Sequence, residues 1–549
     1  MIVHGNFDNT LKLVRLVLRR ERFNSSVWII VLTLFSVILA PGMHEMFSDM
    51  GTRTQIAAIY DNPIMVAMMG PVYGLDNFTT GAMYGGMMLL WVAIAVGVMN
   101  IFLVTRHTRT DEERGQIEVV RSLPVGRLAT INAAMISALL INGVLALLIG
   151  LGLAATGTDG MGLGSSLLYG ALVGAVGLVF AAITALCCQL SSSSGGAIGM
   201  SMGVLGLAYM IRAAGDAQGS DLIACMSPFG LAQRSQVYVN DYLWPLLVLL
   251  ALACVIAAIA FKLNSIRDLG QGFLAAKPGR RGAGPLLRSP FGLAVRLLAK
   301  MLIIWFVVML MLGASYGSVI ADIGAFVGDS PEYLQVIGIP AEVVATMTDA
   351  DKSKIIVDYF AAFITVMMTL VCLVPVLNAA MRVRSEEREG RSEHILSRVV
   401  SNTSYMAGYV AIAYIASVLI QFATAAGLYL ATDAMAEANP FTFGGLVSAF
   451  FAYLPAMWVL IGVAVLIIGL FPKATGAIWA VYGFVAFTSF IGGMLKLPDW
   501  VNWLSPMYHV PRLPMEEMAY PPLVVMTVIA LVLTALGFVF YKRRDLAPA

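Results

Sequence analysis

The chain has 549 residues, of which 59% are hydrophobic and only 12% charged, with a formal net charge of +2. Soluble domains carry about a quarter charged residues, so this composition excludes a water-soluble globular enzyme, and no nucleic-acid partner is expected of so nearly neutral a chain. The mean hydropathy of +0.84 points instead to an all-α polytopic membrane protein, solvated by a bilayer rather than by water.

Residues 1–26 read as a cytoplasmic interfacial helix. Leu11, Val14, Val17 and Leu18 form an apolar stripe, and Lys12, Arg15, Arg19 and Arg22 cover the other side, as in a helix lying on a membrane surface. The first apolar run begins near Val27 and leads to Pro41-Gly42 rather than to a small-residue cleavage pattern. It is therefore read as a retained span and not as a removed signal.

Crossing the hydrocarbon layer takes roughly 20 apolar residues. Runs of that kind predict spans at 27–43, 82–104, 129–154, 165–189, 195–214 and 243–261, then at 300–320, 359–381, 406–430, 446–470, 474–495 and 523–541. That makes about 12 transmembrane helices: a first six-span half at 27–262, a basic cytoplasmic linker at 263–299, and a second six-span half at 300–549. Glycine within the spans favours close helix–helix approach, and Pro375 is expected to kink the eighth. The linker mixes Gly270, Gly272, Pro278, Gly279, Gly282, Gly284 and Pro285 with Arg280, Arg281 and Arg288, a composition suited to solvation or to contact with anionic lipid headgroups.

Charge tests this topology. With both termini inside, 27 of the 34 Lys and Arg residues fall on the inner face, whereas 20 of the 32 acidic residues fall outside. The positive-inside rule is satisfied by an even number of spans. Of the five cysteines, Cys187, Cys188, Cys254 and Cys372 lie in apolar runs and Cys225 in an outer loop; they read as small hydrophobes, not a disulfide framework. No span carries a central pair of buried carboxylates, as an ion or proton path would. The polar residues available are Asn100, Asn132, Asn142, Asn378 and Gln421. Asn100, Asn142, Asn378 and Gln421 are candidate substrate-cavity residues, with interhelical hydrogen bonding as the plainer alternative.

The halves resemble one another where hydrophobicity cannot be the cause. Between spans two and three the inner loop carries Arg109, Glu112, Gly115 and Glu118; between spans eight and nine it carries Arg384, Glu387, Gly390 and Glu393, at a constant shift of 275. Asp111 matches Glu386, while Val120 and Val125 face Ile395 and Val400. Gly196-Ala-Ile198 echoes Gly476-Ala-Ile478, and Ser227-Pro228 echoes Ser505-Pro506. An internal duplication accounts for all of these most economically. A glycine inside a helix costs about 1 kcal/mol against alanine, so its recurrence in both loops suggests the close approach of another surface. Exposed ion pairs contribute only ~0.2–1 kcal/mol, and an acidic helix face with an apolar edge is the better candidate for docking a partner.

An interfacial helix, an acidic loop after the second span and six spans per half together resemble the type-2 ABC exporter permeases. The loops Arg109 through Arg127 and Arg384 through Glu393 resemble most closely the duplicated branch of polyketide-antibiotic exporters, the tetronasin-resistance type. The resemblance implies that these loops are coupling helices, each docked on one of two copies of a cytoplasmic ABC ATPase. Arg109, Glu112, Gly115 and Glu118 would serve one copy, and Arg384, Glu387, Gly390 and Glu393 the other. It implies efflux of hydrophobic or amphipathic small molecules, antibiotics among them, from a bacterial cell membrane. The second copy departs from the first, since Pro124, Gly126 and Arg127 correspond to Val399, Ser401 and Asn402.

The chain holds no G-x-x-x-x-G-K-[ST] phosphate loop, so no cofactor is expected in it, and Mg-ATP would sit on the partner ATPase. No metal-ligand cluster or nucleophile–base pattern suggests an enzyme. Two rival functions fit the composition less well. A secondary transporter of the major facilitator type also has six plus six spans, but its loop typically reads G-x-x-x-D-R-x-G-R-R, which is not the sequence after Asp111. A non-transporting sensor or anchor would call for a folded outer domain, and the largest outer loops, at 44–81 and 321–358, are short for one.

Overall fold

The computed structural model describes residues 5–46, 66, 68–75, 78–274, 282, 284, 287, 289–327, 348–398, 400–435, 439–491 and 498–544. Linker residues Arg280, Arg281 and Arg288, the outer-loop segments 47–65 and 328–347, and the end of the eleventh predicted span lie outside that set, as does Val399. The chain forms two compact units, Met1–Gly279 and Arg280–Ala549. Every long element among the described residues is a helix, as backbone groups in lipid require.

In the first unit, α1 spans Thr10–Met46, α2 Thr80–Thr105, α3 Ala129–Ala155, α4 Leu163–Leu190, α5 Ser194–Ala217 and α6 Trp244–Ile266. In the second, α7 spans Pro290–Val327, α8 Asp349–Arg388 and α9 Asn402–Met435; α10 runs in two pieces, Phe443–Ala452 and Leu454–Leu470; α11 spans Ala477–Ile491 and α12 Tyr520–Arg543. Among the described residues, eleven helices are long and apolar enough to cross a membrane, and α11 is a shorter apolar helix. Several overrun the predicted spans because hydropathy marks only the lipid-facing length, while the hydrogen-bonded ladder continues into the headgroup layer. The basic stripe of residues 10–26 and the first span are thus one uninterrupted helix, α1, not an interfacial helix followed by a separate one. The break in α10 falls at Tyr453, where Pro455 occupies the first turn of the second piece, a position at which its missing N–H costs nothing.

The same helix pairs pack in each unit. α1 lies on α3 and α7 on α9; α4 lies on α6 and α10 on α12; α2 meets α4, and α8 meets α10. Small residues let these backbones touch. A Cβ on Gly427 would sit 2.1 Å from the Leu310 carbonyl, and one on Gly537 2.7 Å from the Val465 backbone, which is the packing lipid favours in the absence of a hydrophobic drive between helices. Both Ser-Pro pairs start a short helix before the last span, Pro228–Gln233 in the first unit and a 3-10 turn Pro506–His509 in the second.

Candidate functional site: the two charged loops

α2 does not stop cleanly. It passes through a π-helical turn, Arg106–Thr110, into the single turn Asp111–Glu113 and then, beyond Gly115, into the short helix Gln116–Arg121. α8 runs unbroken to Arg388 and, beyond Gly390, into Glu393–Leu396. The pivots are alike. Gly115 has φ +71° and Gly390 φ +69°, and nothing lies within 4 Å of where a Cβ would stand on either. The amide of Gly115 donates to the Glu112 carbonyl at 3.0 Å, and that of Gly390 to the Glu387 carbonyl at 3.0 Å. These glycines therefore lie outside a helix, contrary to the expectation from spacing, and no other part of the described chain crowds them. They are required because the chain turns in the left-handed region, where a Cβ costs about 1–2 kcal/mol.

The Arg-x-x-Glu pairs are also superposable in their chemistry. Arg109 Nη1 donates to Glu112 Oε2 at 3.0 Å, and Arg384 Nη1 to Glu387 Oε2 at 3.0 Å. A second arginine closes each pair. Arg267 Nη2 donates to Glu112 Oε2 at 2.7 Å, and Arg544 Nη2 to Glu387 Oε2 at 2.5 Å. Arg267 and Arg544 occupy the same place in the fold, the extended residue that ends α6 or α12. The other carboxylate oxygen is filled as well: Glu112 Oε1 accepts from the Gly270 amide at 2.6 Å, and Glu387 Oε1 from the Tyr541 hydroxyl at 2.8 Å. The loop arginines reach backbone carbonyls, Arg109 those of Gly270 and Gln271, and Arg384 that of Pro472. The carboxylate side chains are each 6% exposed. These are buried, hydrogen-bonded ion clusters, not surface pairs, and breaking such a cluster by removing one partner costs about 3–5 kcal/mol.

The eight sequence-predicted residues thus divide by role. Arg109, Glu112, Arg384 and Glu387 have buried side chains that bolt each loop to the last helix of its own unit. Glu118 and Glu393 are exposed, and among the described residues neither side chain makes an ion pair. Beside Glu118 stand two exposed apolar side chains, Val119 and Leu123. At the matching shift the second loop carries His394 and Arg398.

Arg267 and Arg544 escaped the sequence reading. A signal for them exists: Arg-Asp-Leu follows the sixth apolar run of each half, at 267–269 and 544–546.

The surroundings differ. Asp111 binds Arg20 of α1 through two bonds, at 2.7 and 2.9 Å. Glu386, its match, binds Arg391 at 2.6 and 3.0 Å and Arg382 at 2.7 Å within its own loop. The hydrogen bonds that the Arg391 guanidinium donates to the Glu386 carboxylate hold it above its ordinary pKa. The tail of the first loop is further packed by the segment before α1. A Cβ on Gly126 would lie 2.4 Å from the Asn6 backbone, the Gly126 amide donates to the Asp8 carbonyl, and Asn9 donates to the Pro124 carbonyl at 2.6 Å. Close approach is the reason for glycine here.

The four candidate cavity residues divide between the units, Asn100 and Asn142 in the first, Asn378 and Gln421 in the second. Asn100 and Asn142 are fully buried and bind each other reciprocally, at 3.0 and 2.8 Å, while each also donates to the carbonyl one turn back on its own helix. Gln421 is buried and donates to Thr369 at 2.9 Å. Asn378 is exposed and bonds the Val374 carbonyl of its own helix. This geometry gives Asn100, Asn142 and Gln421 the interhelical fastening that was the plainer alternative. Among the described residues no cluster of three His, Cys, Asp or Glu is arranged to hold a metal.

Two comparisons bear on these loops. The family described as "Multidrug efflux system permease Rv1217c, C-terminal domain" matches residues 12–263 and 287–542. The multidrug efflux system permease protein Rv1217c of Mycobacterium tuberculosis is 31% identical over 544 residues, covering 98% of this chain and 96% of that protein.

Proposed function

Because the chain belongs to the multidrug efflux permease family of Rv1217c, as a multi-pass protein of a bacterial plasma membrane, we propose that it is the membrane subunit of an ATP-driven drug exporter. In this reading it is a type-2 ABC permease of the duplicated, tetronasin-resistance kind, and it carries hydrophobic or amphipathic compounds outward. It is the non-catalytic part of the transporter. Hydrolysis of Mg-ATP belongs to two copies of a cytoplasmic ATPase, one seated on each charged loop.

The observation that supports this best is the doubled ion clamp. A loop that receives a mechanical push transmits it only if it is rigidly joined to the spans. The Arg109–Glu112–Arg267 and Arg384–Glu387–Arg544 clusters join each loop to both the second and the sixth helix of its unit. A buried ionic joint keeps its geometry better than the exposed pairs of an ordinary inner loop, because water cannot replace its partners. Beyond the clamp, Glu118 and Glu393 remain free to meet a partner. Closure of the two ATPases would then move α2 with α6 and α8 with α12.

The test is to purify the tagged full-length chain from its native membrane in mild detergent and identify bound proteins by mass spectrometry. The reading expects a subunit with a phosphate-binding loop at about two copies per permease. Charge reversal at both Glu118 and Glu393 should then abolish drug-stimulated ATP turnover while the permease still folds. A chain that is recovered alone and transports in vesicles on an ion gradient without ATP would sink it.

A further inference from the structure

α1, the inner end of α2 and the start of α5 enclose a cavity of about 460 Å³, within the size range of small-ligand sites. α1 and α2 run antiparallel there, as the ties Glu21–Arg106 at the inner end and Tyr84–Ser36 further along fix. The lining is therefore graded along the helices. Trp28 and Val27 of α1 oppose Met99, Phe102 and Leu103 of α2, whereas Asn24 and Glu21 oppose Arg106, Thr110 and Arg114. One end is apolar and the other is cationic, which is the outline of a lipid-like amphiphile with an anionic head.

The charges at the polar end decide the sign of that head. Glu21 is buried and its Oε1 is bound by Arg106 Nη1 at 2.8 Å and His107 Nε2 at 2.9 Å. Its single negative charge is matched by Arg106, which leaves Arg114 as the excess charge of the lining. Arg106 uses only Nη1 in this pair, and its side chain is half exposed. Arg114 is exposed and makes no ion pair among the described residues. Two guanidinium groups with unused donors thus stand at one end of an apolar slot, next to a helix whose outer side carries Arg15, Arg19 and Arg22. Arginine forks match phosphate oxygens, and the inner leaflet is where basic juxtamembrane segments meet anionic headgroups.

We propose that this cavity binds one anionic phospholipid of the inner leaflet, with its phosphate between Arg106 and Arg114 and an acyl chain against Trp28, Phe102 and Leu103. The site sits beside the π-helical turn that begins the first charged loop, so the bound lipid would brace the joint between α1 and that loop. The inference is independent of the ATPase assignment.

Native mass spectrometry of the detergent-purified full-length chain tests it, with dioleoyl-phosphatidylglycerol and dioleoyl-phosphatidylcholine titrated separately. About one phosphatidylglycerol per chain should be retained, at roughly tenfold higher affinity than phosphatidylcholine, the difference a charge-assisted contact provides. R114Q alters an exposed side chain and should weaken phosphatidylglycerol about tenfold without changing phosphatidylcholine. R19Q removes an equal charge from α1 outside the cavity and should leave phosphatidylglycerol within about twofold. Equal retention of the two lipids, or equal losses in R19Q and R114Q, would overturn the site in favour of diffuse surface attraction. The thermal midpoints of both variants, expected to match the parent protein, exclude misfolding as the cause of a loss.

Discussion

In the first unit the loop after α2 is held to α6 through Arg267, to α1 through Arg20, to the start of α5 through Glu113, and to the N-terminal segment against Gly126. In the second unit the loop after α8 is held to α10 and α12 through Arg384 and Arg544, and Glu386, the match of Asp111, closes on Arg391 of the same loop. What both units keep is the buried carboxylate between two arginines, followed three residues later by a left-handed glycine. What they do not share is the outer bracing and the exposed face, apolar at Val119 and Leu123 but basic at His394 and Arg398. The clamp is the part that the joint itself needs, and the rest is fitted to each unit's surroundings.

The largest effects should come from breaking the shared part. E112A and E387A each leave two buried arginines facing one another, and each should destabilise its unit by about 3–5 kcal/mol. Thermal unfolding of the full-length protein in detergent measures this. Similar losses in the two variants are the expected outcome; a loss below about 1 kcal/mol in either would mean that its cluster behaves as a surface pair, and the equivalence would fail.

The exposed faces should separate the loops. V119D with L123D places two charges on the apolar edge of the first loop and should weaken capture of the proposed ATPase subunit about tenfold or more, since each apolar side chain buried at an interface is worth about 1.5–3 kcal/mol. H394A with R398A removes polar groups that water serves equally well, and should change capture by less than about threefold. Equal losses from both double variants, measured by quantitative pull-down, would show that the loops dock alike despite their sequences.

G115V and G390V come next, at about 1–2 kcal/mol each for a side chain forced into the left-handed region. G115N and G390N should recover part of that loss, because Asn tolerates this conformation. Full stability in the valine variants would mean that the chain does not make a left-handed turn at these positions.

Much of this was visible in a single sequence, and the physical reasons differ from element to element. The helices were legible because an apolar run of span length has little place in a protein except across a bilayer, and the loops because a charged motif repeated at a fixed shift. The role of Gly115 was not legible: spacing of three fits a helix, and only the backbone shows that the chain leaves the helix at that residue. The clamp partners lie 155 and 157 residues from their carboxylates, beyond any local pattern, although the Arg-Asp-Leu echo was there to be read. Asn100 and Asn142 looked like lone polar groups because each one's partner sits on another helix, 42 residues away. The break at Tyr453 was hidden by continuous hydropathy, although Pro455 two residues later marks where a new helix can begin.

The smallest expected effect is also the sharpest test of how the loops differ. Arg20 is 37% exposed and Asp111 10%, so their bidentate pair is screened on one side and should contribute about 1 kcal/mol or less. R20Q should therefore lower the thermal midpoint only slightly, and by less at high salt, where an exposed pair is screened. Its consequence for coupling should be larger than its consequence for stability, because it removes the Arg20 tie between α1 and the first loop, with Glu21 still holding Arg106 and His107, while leaving the Arg109–Glu112–Arg267 cluster intact. R391Q makes the matching change in the second unit but detaches no helix, since Arg391 and Glu386 belong to one loop. If drug-stimulated turnover falls in R20Q and not in R391Q, α1 takes part in the motion that the first loop transmits. If both variants turn over like the parent protein, the tie to α1 is scaffolding, and the clamp alone carries the movement in each unit.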